Sequence, residues 1–181
     1  MARDMNVTRA WAQPLTWPEV QLGERIVRLS AGPDELAKIR RELELEALES
    51  LEADLTFRPW LDGVEIDGRL NARATQLCGV TLEPFDVTID EPIRLRIVPT
   101  GSPNAPRSAE GEVVIALDAE DPPDEAASAS IDLAAYVVES LALALDPFPR
   151  KPGAVFVAPE ITVSLSPFAA LSRLAARPSE D

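Results

Sequence analysis

From Leu51 to Arg58 apolar and polar residues alternate without a break: Leu51, Ala53, Leu55 and Phe57 fall on one side, Glu52, Asp54, Thr56 and Arg58 on the other. A period of two marks a half-buried strand, which Pro59 ends. After a turn at Asp62-Gly63 the period resumes, with Val64, Ile66, Leu70, Ala72 and Ala74 on even positions and Asp67-Gly68 marking a hairpin or bulge. A further strand carries Phe85, Val87, Ile89, Ile93, Leu95 and Ile97 on odd positions, and Pro92, which has no N–H to donate, marks an edge or a bulge within it. Val20 to Leu29 mixes Val20, Leu22, Ile26 and Val27 with charges and reads as one more strand, as does the short apolar run Val113 to Leu117.

Two segments switch to helical spacing. Gly32-Pro33-Asp34-Glu35 starts a helix with proline at its first position and acids in its first turn, followed by Leu36, Ile39 and Leu43, and ending near Glu42 to Glu46. Ile131 to about Leu145 places Leu133, Val137, Leu141 and Leu145 near one face. A short tail element, residues 166–176, has Phe168, Leu171 and Leu174 at helical spacing behind the cap residue Ser166 and Pro167. Between these elements, Val98 to Ala109 is rich in Pro, Gly, Ser and Asn and reads as a loop. Asp118 to Ser130 carries acids and prolines with few large apolar groups, the composition of a mobile acidic linker. The predicted fold class is α+β: a mainly antiparallel sheet with two longer helices and a short carboxyl-terminal helix, in a single domain spanning residues 1–181.

Composition narrows the chemistry. The chain of 181 residues has 17 basic and 31 acidic side chains, a formal charge of −14, which suits neither a nucleic-acid coat nor an anionic membrane. Its 46% hydrophobic content is enough for a packed core. The longest apolar stretch is too short to span a bilayer, so no membrane association is expected. Histidine is absent and Cys78 stands alone, which removes a Ser-His-Asp triad, a Cys-His pair, a histidine zinc site and an intrachain disulfide. The acids lie in solvated runs, and the glycines are scattered rather than arranged as a phosphate-binding loop. No catalytic residue, metal or cofactor is expected, and the natural compartment is the cytoplasm.

Three patches resemble a known family in the same order. Cys78-Gly79-Val80-Thr81-Leu82-Glu83-Pro84-Phe85 is similar to the YceD family's Cys-x-x-Cys-x-x-Pro-Phe segment. Ile131-Asp132-Leu133, leading to Leu143-Ala144-Leu145 and then Pro149, resembles its Ile-Asp-Leu helix and Leu-Ala-Leu-Pro exit. Ser166-Pro167-Phe168-Ala169-Ala170-Leu171 resembles its Asn-Pro-Phe-Ala-x-Leu end. Thr81 stands where the family has its second cysteine, and Asp146 where it has the exit proline. The resemblance implies a bacterial factor for ribosome biogenesis that supports accumulation or processing of large-subunit (23S) ribosomal RNA, with no enzymatic activity. Loss of the second thiolate removes the basis for a paired-cysteine zinc or redox site.

The same residues also have plain physical readings. Pro84 and Phe85 end a loop and open a strand, with Phe85 the first core-facing position. Asp132 is a helix-start acid, and Phe168 and Leu171 form an apolar face that docks on this domain or on a partner. Two routes connect an acidic chain to ribosomal RNA. A local basic patch could contact the RNA precursor, the candidates being Arg25 with Arg28, Lys38 with Arg40 and Arg41, Arg150 with Lys151 and, best patterned, Arg94 with Arg96 on one strand face. Alternatively, the acidic surface attracts a basic ribosomal protein, which the net charge favours. A carboxylate- and Mg²⁺-dependent enzyme acting on RNA or phosphate esters is the alternative from another class, and it requires acids that converge.

Overall fold

The computed structural model describes residues 14–105, 121–127, 130–156 and 158. Three long strands form its centre: β3 (Ala47–Trp60), β4 (Gly63–Leu77) and β5 (Pro84–Pro99). With β2 (Arg25–Ser30) and β6 (Asp124–Ala126) they make one sheet in the order β2-β3-β4-β5-β6. Every pairing in it is antiparallel except the short parallel contact of β6 with the end of β5. A second ribbon pairs β1 (Pro14–Thr16) with β7 (Ser130–Asp132), setting Leu15 opposite Ile131, both buried. Three helices complete the described residues: α1 (Trp17–Val20), α2 (Pro33–Glu42) and α3 (Leu133–Ala144). The architecture is thus α+β with a mainly antiparallel sheet and two longer helices, as the periodicity predicts. The tail element 166–176 and the run Val113 to Leu117 lie outside the described residues.

The alternating rows become the core. Leu51, Leu55, Phe57, Ile66, Leu70 and Ile97 are each no more than 2% exposed. Against them pack Ile39 of α2 and Leu133, Val137 and Leu141 of α3 in a single cluster. Asp132 caps α3: its Oδ1 accepts from the N–H groups of Ala134 and Ala135, at 3.0 and 3.2 Å.

Several expectations are corrected. The strand expected from Val20 begins only at Arg25, because Thr16, Trp17 and Pro18 start a helical turn. Glu19 secures that turn, its Oε2 accepting from the Thr16 hydroxyl at 2.6 Å and the Thr16 N–H at 2.9 Å. The first hairpin turns through Leu61 and Asp62, with Gly63 already paired to Trp60. Asp67-Gly68 is neither hairpin nor bulge but runs straight through β4, opposite Thr56 and Leu55. Glycine stands there because a Cβ would lie 2.2 Å from the Asp54 carbonyl oxygen. Pro92 interrupts nothing, pairing in register with Arg69. Its edge reading holds, since among the described residues only Ile97–Pro99 of β5 has a second neighbour. Phe85 is half-buried and outside the core cluster, which β5 joins at Ile89. Within the 118–130 stretch read as linker, Asp124–Ala126 forms β6 and Ser130 opens β7. The loop after Pro99 is tied down at its start: the Ser102 hydroxyl and the Asn104 amide both donate to Asp62 Oδ1, at 2.9 and 2.8 Å.

Candidate functional site

Two surfaces carry the residues singled out above. The first is the loop that follows β4. Cys78 is buried and continues the inward row of β4 past Ala74 and Gln76. The chain then turns tightly, with the Leu82 N–H donating to the Cys78 carbonyl and the Cys78 N–H to the Glu83 carbonyl. Inside this turn the amides of Val80 and Thr81 point at Cys78 Sγ, 3.4 and 3.5 Å away. A hydrogen bond from the Thr81 side chain, helped by the backbone of Lys151 and by these amides and working against desolvation, pulls the thiol down to about 7. Thr81 therefore replaces a second thiolate with a donor that serves the first.

The segment after α3 docks on this turn. Gly79 donates its N–H to the Pro149 carbonyl at 2.8 Å, and Lys151 Nζ meets Glu83 Oε2 at 2.9 Å. Gln76 reaches the Asp146 carbonyl at 3.3 Å. The tertiary structure thus brings Pro149, far away in sequence, onto the turn from Cys78 to Pro84, in one corner that the exposed side chains of Leu82 and Phe148 flank. Among the described residues, no three side chains of metal-ligating type converge.

The second surface is the outward face of the sheet. Arg28, Arg58, Arg69, Arg73, Arg94 and Arg96 share it with Glu52, Asp54, Glu65, Asp67, Asp86 and Asp90. Cross-strand register turns this into ion pairs: Arg28 with Asp54, Arg69 with Asp90 at 2.8 Å, and Arg58 with both Glu65 at 2.8 Å and Asp67 at 2.9 Å. Glu65 also accepts from Arg96 at 3.1 Å. Burial pushes the Glu65 carboxyl upward, but Arg58 and Arg96 outweigh it and hold Glu65 below the ordinary carboxylate value. The Arg96 guanidinium lies 5.1 Å from the ring centre of Trp60, within cation–π range.

Arg94 and Arg96 do share a face, yet they do not act alike. Arg96 is held by Glu65 and Trp60, whereas Arg94 is exposed and has no ion-pair partner among the described residues. Both line a cleft of about 610 Å³ between β5 and the chain entering β6, which Asp67, Asp121 and Asp124 also line. Asp132 is spent on its helix cap and sits apart from both surfaces. Pro167, Phe168 and Leu171 fall outside the described residues. Reading from the sequence missed Glu65 and Trp60. Their signal is the two-residue hairpin, which sets Arg58 directly opposite Glu65 and Glu65 opposite Arg96.

The fold and these surfaces define a small α+β domain with a charge-laddered sheet face and a cysteine corner. The chain belongs to the YceD family: the family model described as "Large ribosomal RNA subunit accumulation protein YceD" matches residues 66–174. That match runs from the middle of β4 through the cysteine corner and α3, and so includes all three resembling patches. No curated protein and no solved structure matches the chain. No helix of the described residues is long and apolar enough to cross a membrane.

Proposed function

We propose that this chain is a non-enzymatic ribosome-biogenesis factor of the cytoplasm that supports accumulation of large-subunit ribosomal RNA by engaging a basic ribosomal protein. The family supports the RNA connection. The observation that carries the choice of partner is the sheet face. Its arginines are matched by acids and largely ion-paired to them, so the face that gathers the most basic side chains is close to neutral. The surplus of fourteen negative charges therefore lies elsewhere on the chain and repels phosphates while attracting lysine-rich surfaces.

The same pairing supports the absence of catalysis. A metal-dependent hydrolase needs unpaired acids converging on one point, and here Asp54, Glu65, Asp67 and Asp90 are each held by arginine.

Affinity purification of the tagged chain, before and after ribonuclease treatment, tests this reading. A basic ribosomal protein should remain bound after ribonuclease, and neutralising the acids of 118–125 should release it while Arg94→Glu with Arg96→Glu leaves it bound. Tight binding of precursor RNA by the isolated protein, abolished by those two arginine changes and steeply salt-dependent, would overturn it.

A further inference from the structure

The two longer helices pack on the inward face of the sheet, and there α2 and α3 flank an open groove of about 500 Å³. Its floor is apolar: Ile39 and Leu43 come from α2, Ala135, Val138 and Ala142 from α3. Residues 135, 138 and 142 recur at the spacing of one helix face. Ala135 and Ala142 are exposed and Val138 is half-buried, so this apolar face of α3 has no cover among the described residues. Two alanines in a row of three leave room for a further helix to lie close. With 12 residues α3 is about 18 Å long, which matches about three turns of a helical occupant.

The rim decides what kind of helix fits. Four carboxylates, Glu35, Glu42, Asp132 and Glu139, line the groove against the ammonium of Lys38. None of the four is ion-paired among the described residues, in contrast to Asp54, Glu65, Asp67 and Asp90 of the sheet face. Part of the surplus negative charge thus stands uncompensated beside open apolar surface. Such a rim repels the phosphates of RNA, and it repels a second copy of this chain that presents the same acids. A basic amphipathic helix satisfies floor and rim together: its apolar stripe covers the alanines and Val138, and lysines or arginines flanking that stripe reach the carboxylates.

We propose that the α2–α3 groove is the docking site for a basic amphipathic helix of the protein's partner, with its apolar stripe on Ala135, Val138 and Ala142 and its flanking lysines and arginines against Glu35, Glu42 and Glu139. The inference rests on the partner being a basic ribosomal protein, and it adds which element of that protein is bound and which surface binds it.

Fluorescence anisotropy with the full chain tests it. The probe is a labelled peptide of two heptads of Leu-Lys-Lys-Leu-Leu-Lys-Leu, and its counterpart carries Glu at every Lys. The basic peptide should bind wild type, the acidic one at least about tenfold more weakly, and Ala142→Arg should cost the basic peptide at least about tenfold in affinity. Ala37→Arg adds the same charge at an exposed position of α2 away from the groove, and should change that affinity by less than about twofold. No binding to wild type, equal binding of the two peptides, or equal loss in the two variants overturns the proposal. So does a wild-type dimer that Ala142→Arg dissolves, which would make a second copy the occupant. A second measurement holds if Ala142→Arg fails to fold. Added basic peptide should slow wild-type amide exchange over residues 135–142 at least about tenfold with β3 unchanged, and slowing elsewhere but not there overturns it. Failure here is separable from failure of the partner reading. A basic ribosomal protein retained equally by wild type and Ala142→Arg after ribonuclease overturns the groove alone, whereas a groove-bound peptide with no ribosomal protein retained by wild type overturns the identity of the partner.

Discussion

The two faces of the central sheet are built from the same three strands and obey different rules. Inward, Leu51, Leu55, Phe57, Ile66, Leu70 and Ile97 are shut away from water and lock α2 and α3 onto the sheet. Outward, arginines and carboxylates alternate across strands, each pair half in water. Burial of apolar area is worth about 25 cal/mol per Å², so a single inward side chain outweighs several outward ion pairs, each worth about 0–1 kcal/mol. The inner face therefore holds the fold, and the outer face, where acids match arginines, adds little to stability or to net charge. The difference teaches that apolar burial and charge pairing are separated here by the period of the strand itself.

The largest effect should come from the inner face. Phe57→Ala is expected to lose about 3–5 kcal/mol in chemical denaturation, whereas Thr56→Ala, one residue along and facing out, should change stability by less than about 0.5 kcal/mol. Comparable losses for the two would break the comparison.

Next comes a point where β3 and β4 approach closely. Gly68→Ala drives a Cβ toward the Asp54 carbonyl at 2.2 Å, so β3 and β4 must separate locally. A loss of about 1–3 kcal/mol is expected, and a neutral result would show that the pairing is looser there. Asp132→Ala removes the acceptor of two amides at the start of α3 and should cost about 1 kcal/mol, with Asp132→Asn recovering most of it.

The outer ladder should give less. Arg58→Ala is expected to lower stability by less than any of the losses above, and by less again as salt is raised. Its dependence on pH has a definite sign. Glu65 and Asp90 are held below their ordinary values, Glu65 by Arg58 and Arg96 against its burial and Asp90 by Arg69. Their stabilisation is fully present above the unfolded carboxylate range and is lost as pH falls through the folded values. Stability that rises on acidification would contradict this assignment.

The smallest effect sits where the inner row of β4 turns polar, at Cys78. Thiolate absorbance of the folded chain should titrate with a midpoint at about 7, and Thr81→Val should move that midpoint upward by removing the side-chain donor. Because the folded thiol ionises more easily than the unfolded one, its contribution is present above the unfolded thiol's pKa and disappears as pH falls through about 7. A midpoint unchanged by Thr81→Val would assign the shift to the backbone amides of Lys151, Thr81 and Val80.

Much of this molecule is written locally. The alternating rows of β3, β4 and β5, the proline start of α2 and the apolar face of α3 follow from side-chain periods that each segment carries by itself. The resemblance at Cys78 to Phe85 and at Ile131 to Leu133 is local as well, and the family match spans it. Where local signals compete, the same reading errs. Asp67-Gly68 has the composition of a turn, yet it runs straight, because the hydrophobic row on either side continues in register and a glycine fits the close approach of Asp54. Val20 has the side chain of a strand residue, but the Thr16–Glu19 turn captures it.

What the sequence by itself determined is which residues face inward, that the charge is acidic, and that no histidine or second cysteine is available for chemistry. What only the tertiary structure decided is who meets whom. Glu65 joins Arg58 to Arg96, Pro149 closes on Gly79, and α2 and α3 leave a groove between them. The physical reason is that a strand's period comes from its own backbone, whereas register, docking and helix spacing come from packing between segments distant in the chain, and no local pattern encodes those distances.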